Sequence, residues 1–572
     1  MFKQFILFVL CVFCYTQSYL WPTTASKTLT SSFAESREDR FHTGIDITTW
    51  NKENYKCIAI DSGYVYRVRV GVYGYGKALY IKLKDGRVAV YAHLNRFMES
   101  LNDYVRGKQN KSVTYEQNLY FKPDQFPVNK GDLVAYTGST GIGVPHLHFE
   151  IRSSQDEPIN PLQFYPWFYD KKVPRFHSLY VSALDSVSAI NDTALVKRYD
   201  IVQHSKKTYT VDTIYGYGNI GLSVDVSDPT IPEHRVATGV YSLSLMNNDS
   251  LVFKSLFQKL RFSENKYFNL DRNLYARKYF GKKVQNLFTH AETGLDYFGN
   301  GQLSLNEGDT LRYRIVISDY KKNKAELFGV LIGKRMTPGY FLDSESSYKN
   351  SAKIYNNQVY LPDSTFSSLH TKWWSKDSTN VFEGAYFTYS TAKQGLFESA
   401  RVGEWAYDPK DFPDEDYMSG IVQFIPAQMP FRKPLRIQVP DSLPKNVGLY
   451  RWNDRKQRWD QKELNEHRYT TRSSQILTLI KDTIPPKIRF TKWVPEEPFY
   501  SIYIKDHSSG IRDERNFKLW SGKQRVVGEY DFEEHVVRID KRDIIRGEKI
   551  RIQLKDNLGN MHERSIFIRS DY

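Results

Sequence analysis

The most restrictive feature of this sequence is a run of seven residues, 146–152, in which polar and apolar side chains alternate as His-Leu-His-Phe-Glu-Ile-Arg. Successive side chains of a β-strand point to opposite faces, so the run predicts a half-buried strand whose three apolar residues face the core. His146 and His148 would then lie side by side on the exposed face and could share one chemical site. A strand that carries two histidines without a function is the alternative, and this pattern alone does not decide between them.

A second motif, Phe-His-Thr-Gly-Ile-Asp-Ile at 41–47, combines an imidazole with a carboxylate. If this segment were fully extended, the Cα atoms of His42 and Asp46 would lie roughly 13 Å apart. Zinc bonds are only about 2.0–2.2 Å long, so the two side chains could not comfortably reach one ion. We therefore predict a bend at Thr43-Gly44, where glycine permits unusual dihedrals and leaves space beside a metal. A turn with an unrelated aspartate is the alternative.

The segment between these two motifs predicts a β-hairpin. Residues 63–68 and 78–94 alternate in the manner of strands, and Asp85-Gly86 is a typical two-residue turn. His93 ends the returning strand, a place where a lone histidine is ordinarily structural.

A helix and a tight loop are predicted next. Apolar side chains at helical spacing indicate a helix within residues 95–128. The glycines at 138, 141 and 143 suit a loop that passes close to a ligand. Four of the 13 histidines lie between positions 42 and 148, and all four fall inside the motifs.

Length and composition indicate several β-rich domains. A chain of 572 residues is too long for one hydrophobic core, so we expect three or four domains. The aromatic content of 15%, with 41 Tyr and 34 Phe, favours strands over helices. We therefore predict a mainly β fold, with an N-terminal β-rich domain of antiparallel sheets followed by a series of β-sandwich domains.

The charge of the chain restricts its partners. A net charge of +15 suits a protein that works near an acidic polymer or an anionic surface. No cluster of Lys and Arg interleaved with aromatic residues indicates nucleic acid, so no nucleic-acid partner is expected.

Residues 1–18 resemble a signal peptide. Lys3 supplies positive charge, and an apolar run of about 11 residues follows, which is too short to span a bilayer comfortably. Cleavage near Ser18 would leave Cys57 as the one cysteine and exclude an internal disulfide. A lipid anchor at Cys11 or Cys14 is the alternative. We predict no transmembrane span after cleavage, and export to the periplasm, the cell envelope or the exterior.

Together these motifs resemble those of the lysostaphin-type, LytM-like zinc metallopeptidases, which cut peptidoglycan peptides. The resemblance covers residues 29–165 and rests on the segments 40–46, 91–94, 131–141 and 146–150. Val144 departs from the family pattern, in which glycine is frequent before the Pro-His pair. The long insertion after His93 is a second departure.

The resemblance implies a role for each motif residue. His42, Asp46 and His148 correspond to the ligands of one Zn²⁺ ion, and His93 and His146 to the catalytic pair. Two histidines and a carboxylate leave the fourth tetrahedral position open, as in catalytic zinc sites. Zinc lowers the pKa of bound water towards about 7, which produces a nucleophile for a peptide carbonyl. One catalytic histidine would act as general base, and the other would stabilise the oxyanion and protonate the leaving amine. The sequence does not assign these two roles.

Glu150 lies on the same predicted face as His148 and allows two interpretations. Its carboxylate could orient an imidazole of the site from behind. A pairing with Arg152 on the surface is the alternative.

The remaining residues predict further β-rich units. Immunoglobulin-like β-sandwiches are expected at 174–335 and 484–572, with a β-rich domain at 340–480 between them, and the segments 170–174 and 482–486 are linker-like. A faint internal repeat relates residues 308–323 to residues 547–560. In both copies a glycine-led turn opens a strand that ends in a turn rich in Asp and Asn, as in the last hairpin of an immunoglobulin-like sandwich.

The sequence therefore predicts a zinc metalloendopeptidase that hydrolyses peptide bonds in peptidoglycan cross-links or stem peptides. A non-catalytic envelope protein that binds peptidoglycan or activates another hydrolase is the alternative. The presence of all five expected site residues favours catalysis. Peptidoglycan peptides are the expected partners, together with envelope proteins bound through the β-domains. The bond that is cut is not determined by the sequence.

Overall fold

The computed structural model describes residues 19–567, apart from positions 38–39, 169, 185–187, 192–195, 230–236, 274–275, 277–283, 290–293, 336–352, 356–357, 361–370, 398, 426–430 and 455. The predicted signal peptide, with Cys11 and Cys14, lies outside the described residues. Strands far outnumber helices, and most sheets are antiparallel, so the predicted mainly β fold is confirmed.

The N-terminal region is built around one large antiparallel sheet. Its elements are β1 (Leu29–Ser31), β2 (Ile45–Thr48), β3 (Lys56–Ile58), β4 (Gly63–Val70), β5 (Ala78–Leu83), β6 (Val88–Ala92), β7 (Leu94–Phe97), α1 (Glu99–Ser112), β8 (Gln117–Tyr120), β9 (Pro127–Val128), β10 (Leu133–Thr137), β11 (His146–Arg152) and β12 (Pro158–Ile159). The large sheet has the order β1-β2-β11-β6-β5-β4-β8, with β12 paired to β11 and β9 paired to β4. A smaller sheet has the order β3-β10-β7.

Strand β11 lies inside the large sheet, between β2 and β6. Its three apolar residues are fully buried, as the alternation predicted. The expectation that the opposite face is exposed is wrong, because His148, Glu150 and Arg152 are buried as well. Loops of the N-terminal region cover this face, and Phe262 of the second region lies 4.8 Å from the Arg152 guanidinium.

Two further predictions in this region are confirmed. Strands β5 and β6 form the hairpin around Asp85-Gly86. Helix α1 forms within the segment of helical spacing and buries Leu101 and Val105. Val113 follows it in a left-handed conformation, with φ 51°, which is a common way for a helix to end.

A second region contains a large mixed sheet. Its elements are β13 (Arg175–Ala183), β14 (Ala189–Ile190), β15 (Val196–Asp200), β16 (Val202–Gln203), β17 (Thr208–Thr210), β18 (Ile214–Pro229), β19 (Ala237–Thr238), β20 (Ser242–Asn247), β21 (Ser250–Leu256), α2 (Phe268–Asp271), β22 (Gln285–Asn286), β23 (Leu303–Leu305), β24 (Thr310–Ser318) and β25 (Lys324–Gly333). The main path is β15-β13-β18-β25-β24-β20-β21.

The third and C-terminal regions are also built from sheets. The third contains β26 (Lys353–Tyr355), β27 (Gln358–Tyr360), β28 (Thr371–Trp374), β29 (Asn380–Glu383), β30 (Thr388–Thr391), β31 (Ala400–Tyr407), β32 (Ile421–Ile425), β33 (Leu435–Gln438), β34 (Val447–Asn453), β35 (Arg458–Lys462), β36 (Arg468–Thr471) and β37 (Ile476–Lys481). The C-terminal region contains β38 (Lys487–Phe490), β39 (Phe499–Lys505), β40 (Phe517–Ser521), β41 (Gln524–Val526), β42 (Glu529–Asp531), β43 (Val536–Asp540), β44 (Lys549–Lys555) and β45 (Met561–Phe567). Its sheets have the orders β38-β39-β43-β42 and β41-β40-β44-β45. The immunoglobulin-like assignment and the domain limits stay predictions.

The C-terminal region packs directly on the N-terminal region. Buried apolar residues of both regions belong to one continuous cluster. At the contact, the Lys77 ammonium lies 2.8 Å from the Glu529 carboxylate, and the rings of Tyr73 and Phe532 lie 4.6 Å apart. The C-terminal region therefore adjoins the segment that precedes β5.

The second region contacts the segment that precedes β2. The backbone N–H of Phe41 donates a hydrogen bond to the Asn265 side chain at 3.2 Å, and the two rings of Phe41 and Phe268 lie 5.1 Å apart. The guanidinium of Arg272 donates to the Ser36 hydroxyl at 2.5 Å. The segment that leads to His42 is thus held between two regions of the chain.

Cys57 is buried on β3 with a free thiol. Burial raises the pKa of this thiol. Within the part of the chain that the structure describes, no helix has the length and apolar character needed to cross a membrane.

Candidate metal centre and its histidine pair

The three residues predicted to bind zinc lie together on the large sheet. Asp46 on β2 and His148 on β11 are direct partners across the antiparallel ladder, so their side chains project from the same face. His42 precedes β2, and the chain bends between them as predicted. Asp46 and His148 are far apart in the sequence, but the pairing of β2 with β11 brings their side chains together.

One ligand atom from each residue points to a common centre. His42 Nε2 lies 3.0 Å from His148 Nδ1 and 3.1 Å from Asp46 Oδ1, and His148 Nδ1 lies 2.9 Å from the same Asp46 oxygen. Around a tetrahedral zinc ion with bonds of about 2.0–2.2 Å, neighbouring ligand atoms are roughly 3.3–3.6 Å apart. The observed triangle is within a few tenths of an ångström of that size, so these residues fit one zinc ion.

The second nitrogen of each ligand imidazole is held from behind. His42 Nδ1 lies 2.7 Å from the carbonyl oxygen of Ser32. A carbonyl oxygen only accepts, so Nδ1 carries the hydrogen and Nε2 presents its lone pair to the centre. His148 Nε2 lies 2.8 Å from Glu150 Oε1, which leaves Nδ1 for the centre. Such contacts orient metal-binding histidines and raise their basicity.

Glu150 contacts both partners that the sequence suggested, His148 and Arg152. Oε1 accepts hydrogen bonds from His148, from Thr43 at 2.6 Å and from the Tyr75 hydroxyl, and Oε2 accepts from Arg152 Nε at 2.6 Å. The pair with Arg152 is buried rather than on the surface. Burial alone would raise the pKa of Glu150, but Arg152 and His148 outweigh it and hold the pKa far below its usual range.

The surroundings shift the pKa values of the two proposed ligand histidines in opposite directions. Burial lowers the pKa of His42. Burial also opposes the charged form of His148, but hydrogen bonds with Asp46 and Glu150 outweigh it and raise its pKa to about 9.

Asp46 is kept ionised by the groups around it. Burial opposes its charge, but His42 and His148 outweigh it and hold the pKa of Asp46 well below its usual range. Its second oxygen, Oδ2, accepts a hydrogen bond from Arg37 Nη2 at 2.6 Å. Arg37 therefore fixes the carboxylate so that Oδ1 faces the centre.

The predicted catalytic histidines lie beside this centre and next to each other. The rings of His93 and His146 are 4.5 Å apart, and His146 Nε2 lies 3.7 Å from Asp46 Oδ1. His93 Nδ1 lies 2.9 Å from the Thr140 carbonyl oxygen, and His146 Nδ1 lies 2.7 Å from that of Val144. Both histidines are therefore held with Nε2 as the nitrogen that is free to accept a proton.

The backbone of His93 has an unusual conformation. Its φ is 58°, in the left-handed region that residues other than glycine seldom occupy. This turn separates β6 from β7 and directs the imidazole into the site. Burial, followed by the proximity of His146 and His148, lowers the pKa of His93 to about 3, so the ring is neutral at neutral pH.

Gly44 is required for space rather than for an unusual φ. A Cβ at this position would lie 2.4 Å from the carbonyl oxygen of Phe149 and 2.8 Å from Cγ of Glu150. Its φ is not positive, so the expectation of unusual dihedrals is wrong at this residue. Without a side chain at position 44, the bend packs directly against β11.

Two of the three glycines predicted to lie near a ligand approach other loops, whereas a Cβ at Gly143 would lie 3.8 Å from His146 Cε1. A Cβ at Gly138 would lie 2.5 Å from the backbone nitrogen of Asn95, and one at Gly141 would lie 2.3 Å from the carbonyl oxygen of Gly74. These contacts hold the loop before β11 against the segments on either side of the β5–β6 hairpin.

Two residues of the centre were missed by sequence reasoning. Arg37 lies in a charged run, residues 35–40, that has no periodic pattern. Tyr75 stacks on the His148 ring with centroids 5.2 Å apart and lies in a run of alternating Gly and Tyr at 71–76. That run was the one available signal, because a Gly-rich aromatic loop often lies close to other groups.

Comparison with known proteins finds sequence similarity to a lipoprotein and to a carboxypeptidase/endopeptidase. The lipoprotein NlpD/LppB homolog of Pseudomonas aeruginosa is 32% identical over 146 residues, which are 26% of this chain and 40% of that protein. The DD-carboxypeptidase/endopeptidase Mpg of Neisseria meningitidis serogroup B is 31% identical over 124 residues, 22% of each chain. The chain thus spans less than half the length of these relatives.

One solved structure and the family models complete the comparison. The catalytic domain of the prophage-encoded M23 protein EnpA from Enterococcus faecalis is 24% identical, with a TM-score of 0.18, and the match covers 23% of this chain and 88% of that one. No protein-family model matches the chain.

Proposed function

We propose that this chain is a zinc-dependent endopeptidase that hydrolyses peptide bonds in bacterial peptidoglycan. Its N-terminal region resembles LytM-like peptidases and is similar in sequence to a DD-carboxypeptidase/endopeptidase. His42, Asp46 and His148 hold the metal in this proposal. His93 and His146 transfer protons during the reaction. The substrate is a peptidoglycan cross-link or stem peptide, and the protein acts in the periplasm or cell envelope.

One observation carries the proposal, namely the convergence of three ligand atoms from separate segments, each backed by a fixed hydrogen-bond partner. A structural zinc site closes all four positions with protein ligands, whereas a catalytic site keeps one open. Here the described residues supply one carboxylate and two imidazoles. A bound zinc ion supplies Lewis acidity at such a site.

The histidine pair provides the proton transfers. The two rings lie 4.5 Å apart, and both Nδ1 atoms are engaged with backbone carbonyl oxygens. One neutral imidazole held in this way accepts a proton from the attacking water, and the other stabilises the oxyanion and protonates the leaving amine. The carbonyl partners fix each ring, so no reorientation is needed between the two transfers.

The test separates metal binding from proton transfer. Purified protein is incubated with sacculi, released muropeptides are identified by mass spectrometry, and zinc is counted by elemental analysis. We expect Asp46→Ala to lose zinc and activity, His146→Ala to keep zinc and lose activity, and a chelator to abolish activity in the wild type. His177→Ala removes an exposed histidine outside the site and serves as the control.

The same experiment decides the alternative. A peptidoglycan-binding or hydrolase-activating protein would bind sacculi and release no muropeptides by itself. Activity that survives in both Asp46→Ala and His146→Ala would exclude the proposed mechanism. The intact set of five site residues favours the catalytic function.

A further inference from the structure

A cluster of carboxylates lies at the junction between the N-terminal and second regions, outside the peptidase site. This first cluster consists of Asp170, Asp228 and Asp319, and one oxygen from each lies within 4.8 Å of the others. Asp170 belongs to the linker, Asp228 lies near the end of β18, and Asp319 directly follows β24. The cluster therefore joins the linker to the second region.

A second cluster lies at the junction between the third and C-terminal regions. It consists of Asp482, Asp506 and Asp556, again with oxygens within 4.8 Å of one another. Asp482 is in the linker, Asp506 directly follows β39, and Asp556 directly follows β44. In the second region β18, which contains Asp228, pairs with β13, the first strand after the linker. In the C-terminal region β39, which Asp506 directly follows, pairs in the same way with β38.

An asparagine makes the same hydrogen bonds at both junctions. Asn323 Nδ2 donates to the backbone carbonyl oxygen of Asp170 at 3.1 Å and to the carboxylate of Asp319 at 2.6 Å. Asn560 donates to the corresponding linker carbonyl and hairpin carboxylate of the second cluster, at 2.8 and 2.7 Å. The internal repeat in the sequence thus marks one structural arrangement used twice.

The middle aspartate of each cluster has an oxygen without a partner. Asp228 is 6% exposed, and its buried Oδ1 has no hydrogen-bond partner among the described residues. Asp506 Oδ1 is buried and without a partner in the same way. An unsatisfied buried carboxylate oxygen costs free energy, so its recurrence at equivalent positions points to a ligand that completes it.

The first cluster carries excess negative charge. Burial, followed by repulsion from Asp170 and Asp319, raises the pKa of Asp228 to about 8. Lys321 is attracted by both neighbouring carboxylates, but its ammonium donates a hydrogen bond to the Pro166 carbonyl oxygen at 2.6 Å. Lys172 also attracts the Asp170 carboxylate, so two ammonium groups face three carboxylates, and a further cation would complete the balance.

We propose that the first cluster binds a calcium ion that ties the linker to the second region, and that the second cluster is its counterpart. Calcium takes oxygen ligands at about 2.3–2.6 Å, so oxygens on opposite sides of the ion are roughly 4.6–5.2 Å apart. One oxygen from each of the three carboxylates lies within 4.8 Å of the others, so a single calcium ion could contact all three. Oxygen-only ligands favour calcium over the softer transition metals.

The position of the first cluster connects it to the peptidase site. The cavity that contains the three carboxylates is also lined by Ser32. The backbone carbonyl of Ser32 holds the imidazole of His42. A bound calcium ion would therefore stabilise both the junction and the segment that orients a proposed zinc ligand.

The test counts ions in the full-length mature chain. The protein is freed of metals, reloaded with one equivalent of zinc, and titrated with CaCl₂ or MgCl₂ in a calorimeter at constant ionic strength. We expect two calcium ions per chain, bound at least about tenfold more tightly than magnesium, which requires a stricter octahedron. Thermal melting should shift upwards with calcium.

Asp228→Asn should bind one calcium ion fewer, and Asp225→Asn, on the same strand outside the cluster, should bind as the wild type does. Without calcium, Asp228→Asn should melt no lower than the wild type, because it removes repulsion; this distinguishes lost binding from misfolding. Asp319→Asn provides a second variant.

Equal calcium counts in Asp228→Asn and Asp225→Asn, or no saturable binding, would overturn the proposal. An unchanged count in Asp506→Asn would remove the counterpart alone.

Discussion

At the scale of single residues, the candidate centre depends on groups behind the proposed ligands. The Ser32 carbonyl, the Glu150 carboxylate and Arg37 fix the orientation of His42, His148 and Asp46, respectively. These contacts decide which atom of each ligand faces the centre. A site with the same ligands but without these partners would bind metal more weakly, because free rings must be ordered on binding.

Replacement of Glu150 by Gln tests this support. We expect the zinc affinity to fall about 10–100-fold, the range observed when such supporting groups are changed. The buried guanidinium of Arg152 also loses its buried carboxylate partner and keeps only the exposed Asp156, which should reduce the free energy of unfolding by about 3–5 kcal/mol. Competition with a metal chelator measures the affinity, and thermal melting of the metal-free protein measures the stability.

Asp156→Asn is the matched control for this variant. Asp156 pairs with the same Arg152 at 3.0 Å, but its side chain is 56% exposed. An exposed pair contributes about 0–1 kcal/mol, so little change is expected. If Glu150→Gln and Asp156→Asn behaved alike, the buried carboxylate would have no special part in the centre.

At the scale of elements, the site depends on how closely β2 approaches β11. Asp46 and His148 are paired across the two strands, and the bend at Thr43-Gly44 returns His42 to the same face. The bend can pack on β11 because Gly44 has no side chain. His42 and Asp46 can therefore reach one metal ion only because the bend between them packs closely on β11.

Gly44→Ala should disrupt the centre without changing any ligand. The added Cβ would lie 3.1 Å from His148 Cε1, in addition to its closer contacts with β11. Overpacking of this kind typically reduces the free energy of unfolding by about 1–3 kcal/mol. We expect lower zinc content by elemental analysis and a lower melting temperature for the metal-free protein.

Gly107→Ala supplies the comparison. Gly107 is exposed within helix α1, and a Cβ there would meet nothing within 4 Å. Alanine is the better helix former by about 1 kcal/mol, so this variant should be slightly more stable, with unchanged zinc content. Normal zinc binding by Gly44→Ala would show that β2 and β11 tolerate a wider spacing than the structure indicates.

At the scale of the whole molecule, the candidate metal centre is contacted by distant parts of the chain. The backbone N–H of Gly143, three residues before His146, donates to the Glu533 carboxylate at 3.2 Å. The second region reaches the opposite side through Asn265 and Arg272. Regions that follow the N-terminal region in sequence therefore restrain the loops that carry its candidate site.

A double-mutant cycle on Lys77 and Glu529 tests this docking in solution. The two side chains are 14% and 16% exposed and lie 2.8 Å apart across the contact. For a largely desolvated pair we expect a coupling of about 1–3 kcal/mol in thermal or denaturant unfolding. Coupling near zero would mean that the C-terminal region does not remain docked.

The control cycle uses Arg551 and Glu563, which form a pair within the C-terminal region. Their side chains are 43% and 44% exposed and lie 3.6 Å apart. A coupling below about 1 kcal/mol is expected for such a pair. The difference between the two cycles isolates the contribution of the contact between regions.

The sequence by itself determined the local elements and the candidate residues. Strand β11, the hairpin around Asp85-Gly86 and helix α1 all follow from periodicity and turn chemistry, which are properties of neighbours along the chain. The five site residues were recognisable because they lie in short motifs. The structure places those five side chains together, while their roles stay proposals.

Only the tertiary structure decided what surrounds these elements. The polar face of β11 is buried, Arg37 and Tyr75 join the centre, and aspartates more than 50 residues apart meet at each junction. Periodicity states which way a side chain points relative to its own strand. It carries no information on which distant segment will cover that side chain, because that depends on the packing of the whole chain.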